Sequence, residues 1–522
     1  MGALCKAMIL FMLTIPSTSM TSAGKVLVFP YTSNKCTRPY AMERIAVILA
    51  QAGHDVTFLT HDKYETRIQL NNVKEIRHRF PDGAPYDLSE GGVQGLIDTT
   101  ISQEIEFVFS AFEYFILPVC TALIQDVEIM NGLKQAKYDL MITDTFHTAC
   151  AGILKEYLQL PTILWSNAGF EFQFEWLVPS TTSFIPLFVT SYTDEMTFTE
   201  RALNTYYYLL TDYKKQSFLH LKYILMQENE HILGLKPSYH DALNEADILW
   251  VNSGFAYMYP RPLMPNVIPV LGLKDKASKP LPKDFEEFIN GAGEHGFILL
   301  SFGTLPRGLD ENRREVLASV FAKLPQQVIW RYGGPLPKSL GNNTLIVSSH
   351  PQYDLLGHQK LRVFMTHCGA SGSAEAIYNA APIIGLSLFY DQRQHCTILT
   401  KRHNMGITIS INDITKQTLS TALEEVLHNR VYKENALKAR ELMRDQPMNA
   451  SYTIQYWSEY VMRHRGAKHL RSNAMHNLNF LQYFLIDIAL LTLCSVIMVC
   501  VIIRHVVKLC LSWYKGIKLK QQ

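Results

Sequence analysis

The sequence predicts an α/β protein built from two doubly wound halves that face a common cleft, followed by one membrane-spanning helix. Three observations carry that reading. Strand-length apolar runs alternate with helical stretches in both halves of the chain, and a Pro- and Lys-containing segment from Pro269 to Pro282 separates the two sets. An uncharged apolar run, Ile488 to Ile503, lies close to the C-terminus.

At the N-terminus, Lys6, the apolar run Ala7 to Ile15 and the small residues through Ala23 read as a cleaved signal segment, because the run is too short to span a bilayer. The mature chain then begins near Gly24. Lys25 to Phe29 is a continuous apolar strand, Met42, Ile45, Ala46 and Leu49 mark one face of a helix, and Asp55 to Leu59 begins the next strand. Leu140 to Thr143 and Thr162 to Trp165 repeat the pattern around a helix from Ala149 to Leu158. Aromatic residues gather at Phe107, Phe109, Phe112, Tyr114 and Phe115, and again at Phe170, Phe172, Phe174 and Trp176. Core packing is their ordinary use, with some available to line a pocket for a lipophilic small molecule. Beyond the dividing segment the expected strands are Phe297 to Ser301, Val328 to Arg331, Leu345 to Ser348, Val363 to Thr366, Pro382 to Leu386 and Ile407 to Ile411.

Toward the end, Phe480 to Leu485, Asp487 and the run to Ile503 together reach the roughly 20 residues a spanning helix needs. Arg504, Lys508, Lys515, Lys518 and Lys520 follow with no acidic residue, as expected on the cytoplasmic side, which puts the globular part in a lumen. Lys518 and Lys520, fifth and third from the end, are similar to dilysine signals that return type I membrane proteins to the endoplasmic reticulum. Asn342-Asn343-Thr344 and Asn449-Ala450-Ser451 are sequons, open to glycosylation in that placement.

Chemistry concentrates between Ser349 and Gln392. Val363 to Met365 reads as a buried strand and Ser373 to Ala380 as a helix, joined by a turn with Gly369 and Gly372. Those glycines let the backbone approach an anion, and the helix start offers unpaired N–H groups and a positive dipole end. A diphosphate suits such a socket. His367 can donate to a phosphate oxygen, Glu375 can accept from both hydroxyls of a ribose, and Asp391-Gln392 can grip a hexose.

Other classes fit less well. A net charge of +2 over 522 residues implies no nucleic-acid partner. Cys36, Cys120, Cys150, Cys368 and Cys396 are odd in number and irregular in spacing, which argues against a disulfide-framed domain and leaves one bridge open without assigning it. His367-Cys368 and His395-Cys396 lack the paired spacing of a zinc site, so no metal is expected. A nicotinamide oxidoreductase would need glycines after the first strand, where Val28 to Thr32 has none. Gly369 to Ser373 lacks the spacing of a serine-hydrolase nucleophile elbow.

The block resembles the signature of the UDP-glycosyltransferase family, at Pro351, Gln352, His367, Cys368, Gly369, Glu375, Asp391 and Gln392. The likeness continues through Phe297 to Thr304, Leu324-Pro325-Gln326, Trp330-Arg331, Arg444 to Pro447 and Met462 to Leu470, and is nearest to the animal membrane-bound UDP-glucuronosyltransferases. It implies the GT-B fold, a UDP-sugar co-substrate with no cofactor, a small lipophilic acceptor, and donor contacts at Ser301, Gly303, Thr304, Gln352, His367, Gly369, Ser371, Gly372, Glu375, Asp391 and Gln392. The implied division is a signal segment 1–23, an acceptor domain 24–268, a linker 269–282, a donor domain 283–445, crossover helices and a juxtamembrane stretch 446–479, a spanning helix 480–503 and a basic tail 504–522. A homo-oligomer is left open.

Two positions depart from the pattern. In related enzymes an aspartate matching Asp144 orients a histidine in the loop after the first strand, and that histidine deprotonates the acceptor hydroxyl. Here Pro30 to Pro39 holds Lys35, Thr37 and Arg38 but no histidine. The expectation is therefore inverting transfer onto an amine or an acidic hydroxyl, with Asp144 as a weak substitute base. Ser349 stands where the family's tryptophan would stack on uracil, and Ser371 where relatives often carry asparagine. The alternative is a non-catalytic lumenal binding protein that kept the fold.

Overall fold

The valine- and leucine-rich runs of the first half form β1 (Lys25–Phe29), β2 (Asp55–His61), β3 (Val73–His78), β4 (Leu140–Asp144), β5 (Thr162–Ser166), β6 (Ile248–Val251) and β7 (Val267–Pro269). Among the described residues these make one parallel sheet in the order β3-β2-β1-β4-β5-β6-β7. The structure is a computed structural model, and it describes residues 23–32, 38–84, 93–170, 181–273, 278–303, 309–472, 474–475 and 478–520. Inner strands such as β4 and β5 are buried along their whole length, as continuous apolar runs must be when helices cover both faces. The edge strand β3, Val-Lys-Glu-Ile-Arg-His, is half-exposed, and its charges give no strand signal. Pro269 closes β7 at the opposite edge, where a missing N–H costs no ladder bond.

The helices of this half include α1 (Arg38–Gln51), α2 (Ile101–Gln125), α3 (Val127–Ala136), α4 (Thr148–Leu158) and α5 (Phe198–Glu228). Thr100 and Gln103 build a capping box at the start of α2, and Thr197 and Glu200 do the same for α5.

The second half opens with α6 (Lys283–Asn290) and forms β8 (Phe297–Ser301), β9 (Gln327–Arg331), β10 (Thr344–Val347), β11 (Leu361–Thr366), β12 (Ile383–Gly385) and β13 (Gly406–Thr408). These are parallel in the order β10-β9-β8-β11-β12-β13. Its helices are α7 (Glu311–Phe321), α8 (Gln352–Leu356), α9 (Ala370–Tyr378), α10 (Gln392–Thr397), α11 (Lys416–His428) and α12 (Arg430–Arg444). Strand order reverses between β1 and β4 in one sheet and between β8 and β11 in the other. Doubly wound sheets bind ligands outside the carboxyl ends of strands at such reversals. The last helix of this unit, α13 (Ala450–His464), packs Ile454 and Val461 into the first sheet's core beside Met42 and Ile45, and Ala467 N donates to Asp247 at 2.6 Å.

The C-terminal unit is α14 (Phe480–Tyr483) and α15 (Ile486–Lys520). The single helix expected over 480–503 is thus interrupted at Leu485, which is left-handed (φ 54), and the apolar helix runs on through the basic residues. Ile486–Lys515 is long and apolar enough to cross a membrane. The signal segment through Ser22 lies outside the described residues.

Cysteine pairing departs from the sequence expectation. Two bridges form, Cys120–Cys150 between α2 and α4 and Cys368–Cys396 between the turn after β11 and α10. Separations of 30 and 28 residues follow no framework spacing, so the pairs arise from tertiary packing that spacing does not reveal. Cys36 lies outside the described residues.

Candidate functional site

At the carboxyl end of β8, Ser301 is buried and its Oγ accepts from Gly303 N at 3.3 Å. Gly303 is left-handed (φ +68), and a Cβ there would lie 2.7 Å from His367 Cε1. Gly369 is equally confined, since its Cβ would lie 2.6 Å from His367 Nε2. Both glycines are therefore required by the imidazole that packs between the two turns. Burial pushes His367 down to about 4, while Asp391 across the site pulls the other way. The ring is thus neutral near pH 7; the Ser301 carbonyl also draws on it, and Nδ1 has no protein partner among the described residues. Gly303→Ala adds left-handed strain and displaces the ring, so UDP affinity should fall about tenfold in titration calorimetry, with thermal stability changed far less.

Helix α9 begins at Ala370, not at Ser373 as the sequence suggests, because Gly369 takes the N-cap position and Ser371 and Gly372 sit inside the first turn. Its first N–H groups have no partner within the helix. One turn in, Glu375 is 4% exposed and its Oε2 accepts from Gln352 Nε2 at 2.8 Å. Ser371, Glu375 and Tyr378 share with Tyr40, Trp165 and Asn252 of the first half a narrow interlobe cleft of about 50 Å³. Ser349 is exposed between β10 and α8, and next to it burial and the Arg331 charge hold His350 at about 4. Thr304 lies outside the described residues.

The segment after β12 brings Asp391 and Gln392 to this end of the sheet. Gln392 Oε1 accepts from Leu388 N at 2.9 Å, which leaves its amide nitrogen for a ligand. Asp391 Oδ2 lies 3.3 Å from His395 Nε2, and the other ring nitrogen, Nδ1, lies 2.8 Å from Tyr257 Oη, with the two rings stacked at 5.1 Å. The Cys368–Cys396 bridge ties the His367 turn to α10, and Gly385 makes room for it: a Cβ there would lie 2.5 Å from Cys396 Sγ. Cys368 itself is left-handed (φ 62).

In the first half, Asp144 ends β4 at the other reversal and is fully buried. Its Oδ1 accepts from Phe146 N at 2.7 Å and from Arg38 Nη1 at 2.9 Å. The guanidinium lies over the Phe146 ring, 4.4 Å from the centroid. The side chain that Asp144 holds is therefore an arginine from the start of α1. Lys35 and Thr37 lie outside the described residues.

The aromatic runs divide. Phe109 stacks on Phe218, Phe115 and Phe170 are buried, and Tyr114 is 60% exposed. Phe172, Phe174 and Trp176, like the Phe112 side chain, lie outside the description. The sequence reading misses the pairs Arg38–Asp144, Tyr257–His395 and Glu104–Arg393, whose separations of 106, 138 and 289 residues leave no local signal.

Comparison with known proteins agrees with this architecture. The family model described as "UDP-glucoronosyl and UDP-glucosyl transferase" matches residues 24–521. Human UDP-glucuronosyltransferase 2B15 is 32% identical over 521 residues, covering 96% of this chain and 95% of its own. Rat 2-hydroxyacylsphingosine 1-beta-galactosyltransferase is 31% identical over 500 residues, covering 95% and 91%. Among solved structures, the glycosyltransferase VinC in complex with dTDP matches with a TM-score of 0.56 at 15% identity, over 84% of this chain and 100% of that one. A UDP-glucosyltransferase from Polygonum tinctorium matches equally well, with a TM-score of 0.56 at 15% identity over 85% and 100%. The two sheets are those of the GT-B fold.

Proposed function

The chain belongs to this family of UDP-sugar transferases, and on that premise we propose inverting transfer of a hexosyl group, glucuronosyl before others, from a UDP-sugar to a small lipophilic amine or acidic hydroxyl. The supporting observation is the Arg38–Asp144 pair. A guanidinium does not give up its proton in a protein, so it cannot act as general base. Asp144, with Oδ1 already accepting from Arg38 and Phe146, serves in this reading as the holder of Arg38 in preference to the substitute base expected from the sequence. An amine needs neither. Its lone pair attacks C1 opposite the diphosphate, the C1–O bond breaks, and the electron pair leaves on the β-phosphate oxygen of UDP. The nitrogen releases its proton to solvent afterwards. An acidic hydroxyl reacts the same way once ionised.

Donor roles follow the geometry above. His367 and the first N–H groups of α9 take the departing charge, with Ser301, Gly303, Gly369, Ser371 and Gly372 shaping the turns around it. Glu375, braced by Gln352, holds the ribose, and Asp391 and Gln392 hold the hexose. Helix α15 anchors the chain, with Arg504 and Lys508 toward the cytoplasm and the two sheets in the lumen of the endoplasmic reticulum. The exposed Asn342 and Asn449 are then open to glycosylation.

Membranes carrying the full chain, incubated with UDP-glucuronate, UDP-glucose or UDP-galactose and pooled anilines and phenols, test this by mass spectrometry. UDP-galactose belongs in the panel because a relative 31% identical is named a galactosyltransferase. Aniline conjugates in excess over phenol conjugates are expected. UDP binding without any transfer would instead support the binding-protein alternative, and phenol preference would point to a base elsewhere.

A further inference from the structure

The carboxylate of Glu104 lies in the first half of the protein, yet all three of its hydrogen bonds among the described residues go to the second. It sits in the first turn of α2, only 1% exposed. Arg393 donates to it twice, Nη1 to Oε2 at 2.6 Å and Nη2 to Oε1 at 2.5 Å, and Tyr390 N donates to Oε2 at 2.9 Å. Tyr390 is left-handed (φ 59), a conformation that a non-glycine residue keeps only when its surroundings hold it. Phe188, also from the first half, meets the Tyr390 ring edge-on at 4.9 Å. Tyr390 and Arg393 flank Asp391 and Gln392. Just ahead of α2, further contacts dock the chain on the second half: Arg313 donates to Asp98 at 2.7 Å, Asn412 to Ile97 O at 3.3 Å, and the Ile97 side chain packs in the core of the second half. The far end of α2, at Cys120, Leu123 and Ile124, lies in the core of the first.

We propose that Glu104 is a positioning residue that holds the 390–393 turn so that Asp391 and Gln392 face the hexose of the donor. It rests on the reading of Asp391 and Gln392 as hexose contacts. A buried bidentate carboxylate–guanidinium pair fixes direction as well as distance, and here it crosses between the halves. Recognition of the sugar is thereby coupled to the docking of α2, whereas the UDP contacts on β8, α8, β11 and α9 make no bond to that helix among the described residues.

The test compares Kd for UDP with Kd for UDP-glucuronate, UDP-glucose and UDP-galactose, by titration calorimetry on the full chain in detergent without acceptor. Glu104→Gln keeps the shape and an acceptor for Tyr390 N but removes the charge. It should weaken the preferred UDP-hexose about tenfold while leaving UDP within about twofold. Arg393→Lys keeps the charge without the fork, should recover part of that loss, and carries the comparison if Glu104→Gln does not fold. Equal weakening of UDP and UDP-hexose marks a merely structural pair and overturns the proposal, as does no change in either. A wild-type chain that binds no UDP refutes the donor-site reading itself, and the proposal with it.

Discussion

Turnover of a phenol acceptor should rise by about 10²–10⁴-fold when Arg38 is replaced by histidine. Asp144 already holds the side chain at that position through a 2.9 Å bond, so an imidazole there would find its orienting carboxylate in place. The wild-type guanidinium cannot take the phenolic proton, while a neutral imidazole can. Aniline turnover should change little, because the nitrogen attacks before it loses a proton. Arg38→Ala is the control: it leaves a buried carboxylate without its cation, which costs about 3–5 kcal/mol, and it supplies no base. It should therefore lower the melting temperature without raising phenol turnover. If Arg38→His folds and phenol turnover stays at the wild-type level, absence of a base does not explain the acceptor preference.

His367→Ala should lower turnover about 10²–10³-fold, the usual loss when one donor to a developing anion is removed. The same residue gives a pH signature. Burial holds His61, His350 and His367 at about 4 against an ordinary 6.5. The unfolded chain therefore binds protons that the folded chain refuses. Their contribution to stability is complete above pH 6.5 and is lost as pH falls toward 4, by about 3 kcal/mol for the fully buried His61. UDP reverses the trend at His367 alone, because a diphosphate beside the ring raises its proton affinity. Binding of a UDP-hexose, whose diphosphate has no proton of its own to exchange near pH 6, should thus take up protons at about that pH, seen as a calorimetric heat that varies with buffer ionisation enthalpy, and His367→Gln should abolish the uptake. A buffer-independent heat in the wild type would place the phosphates away from this ring.

Much of this is legible in the chain because the chemistry is local. Val363 to Gly372 carries strand, turn and helix start within a few residues, and buried strands such as Lys25–Phe29 and Phe297–Ser301 are continuous apolar runs whose limits the structure reproduces. Edges are less legible. The edge strand Val73–His78 exposes Lys74 and Glu75, and Val267–Pro269 is too short to show a period. The start of α9 reads late in the sequence because Gly372, a poor helix former, sits in its first turn, where the cap and the packed Thr366 and Phe364 nearby override propensity. Pairings across the fold are invisible. The absence of a histidine can be read from Pro30 to Pro39, but that Arg38 takes the partnership with Asp144 depends on β1 lying beside β4.

A structure of the full chain with UDP bound tests the central claim most directly. The account predicts pyrophosphate density between Gly303 and the start of α9, within hydrogen-bonding distance of His367 and the amides of residues 370–372, with the ribose against Glu375. Nucleotide density at the carboxyl end of the first sheet, or none near His367 at saturating UDP, would contradict it.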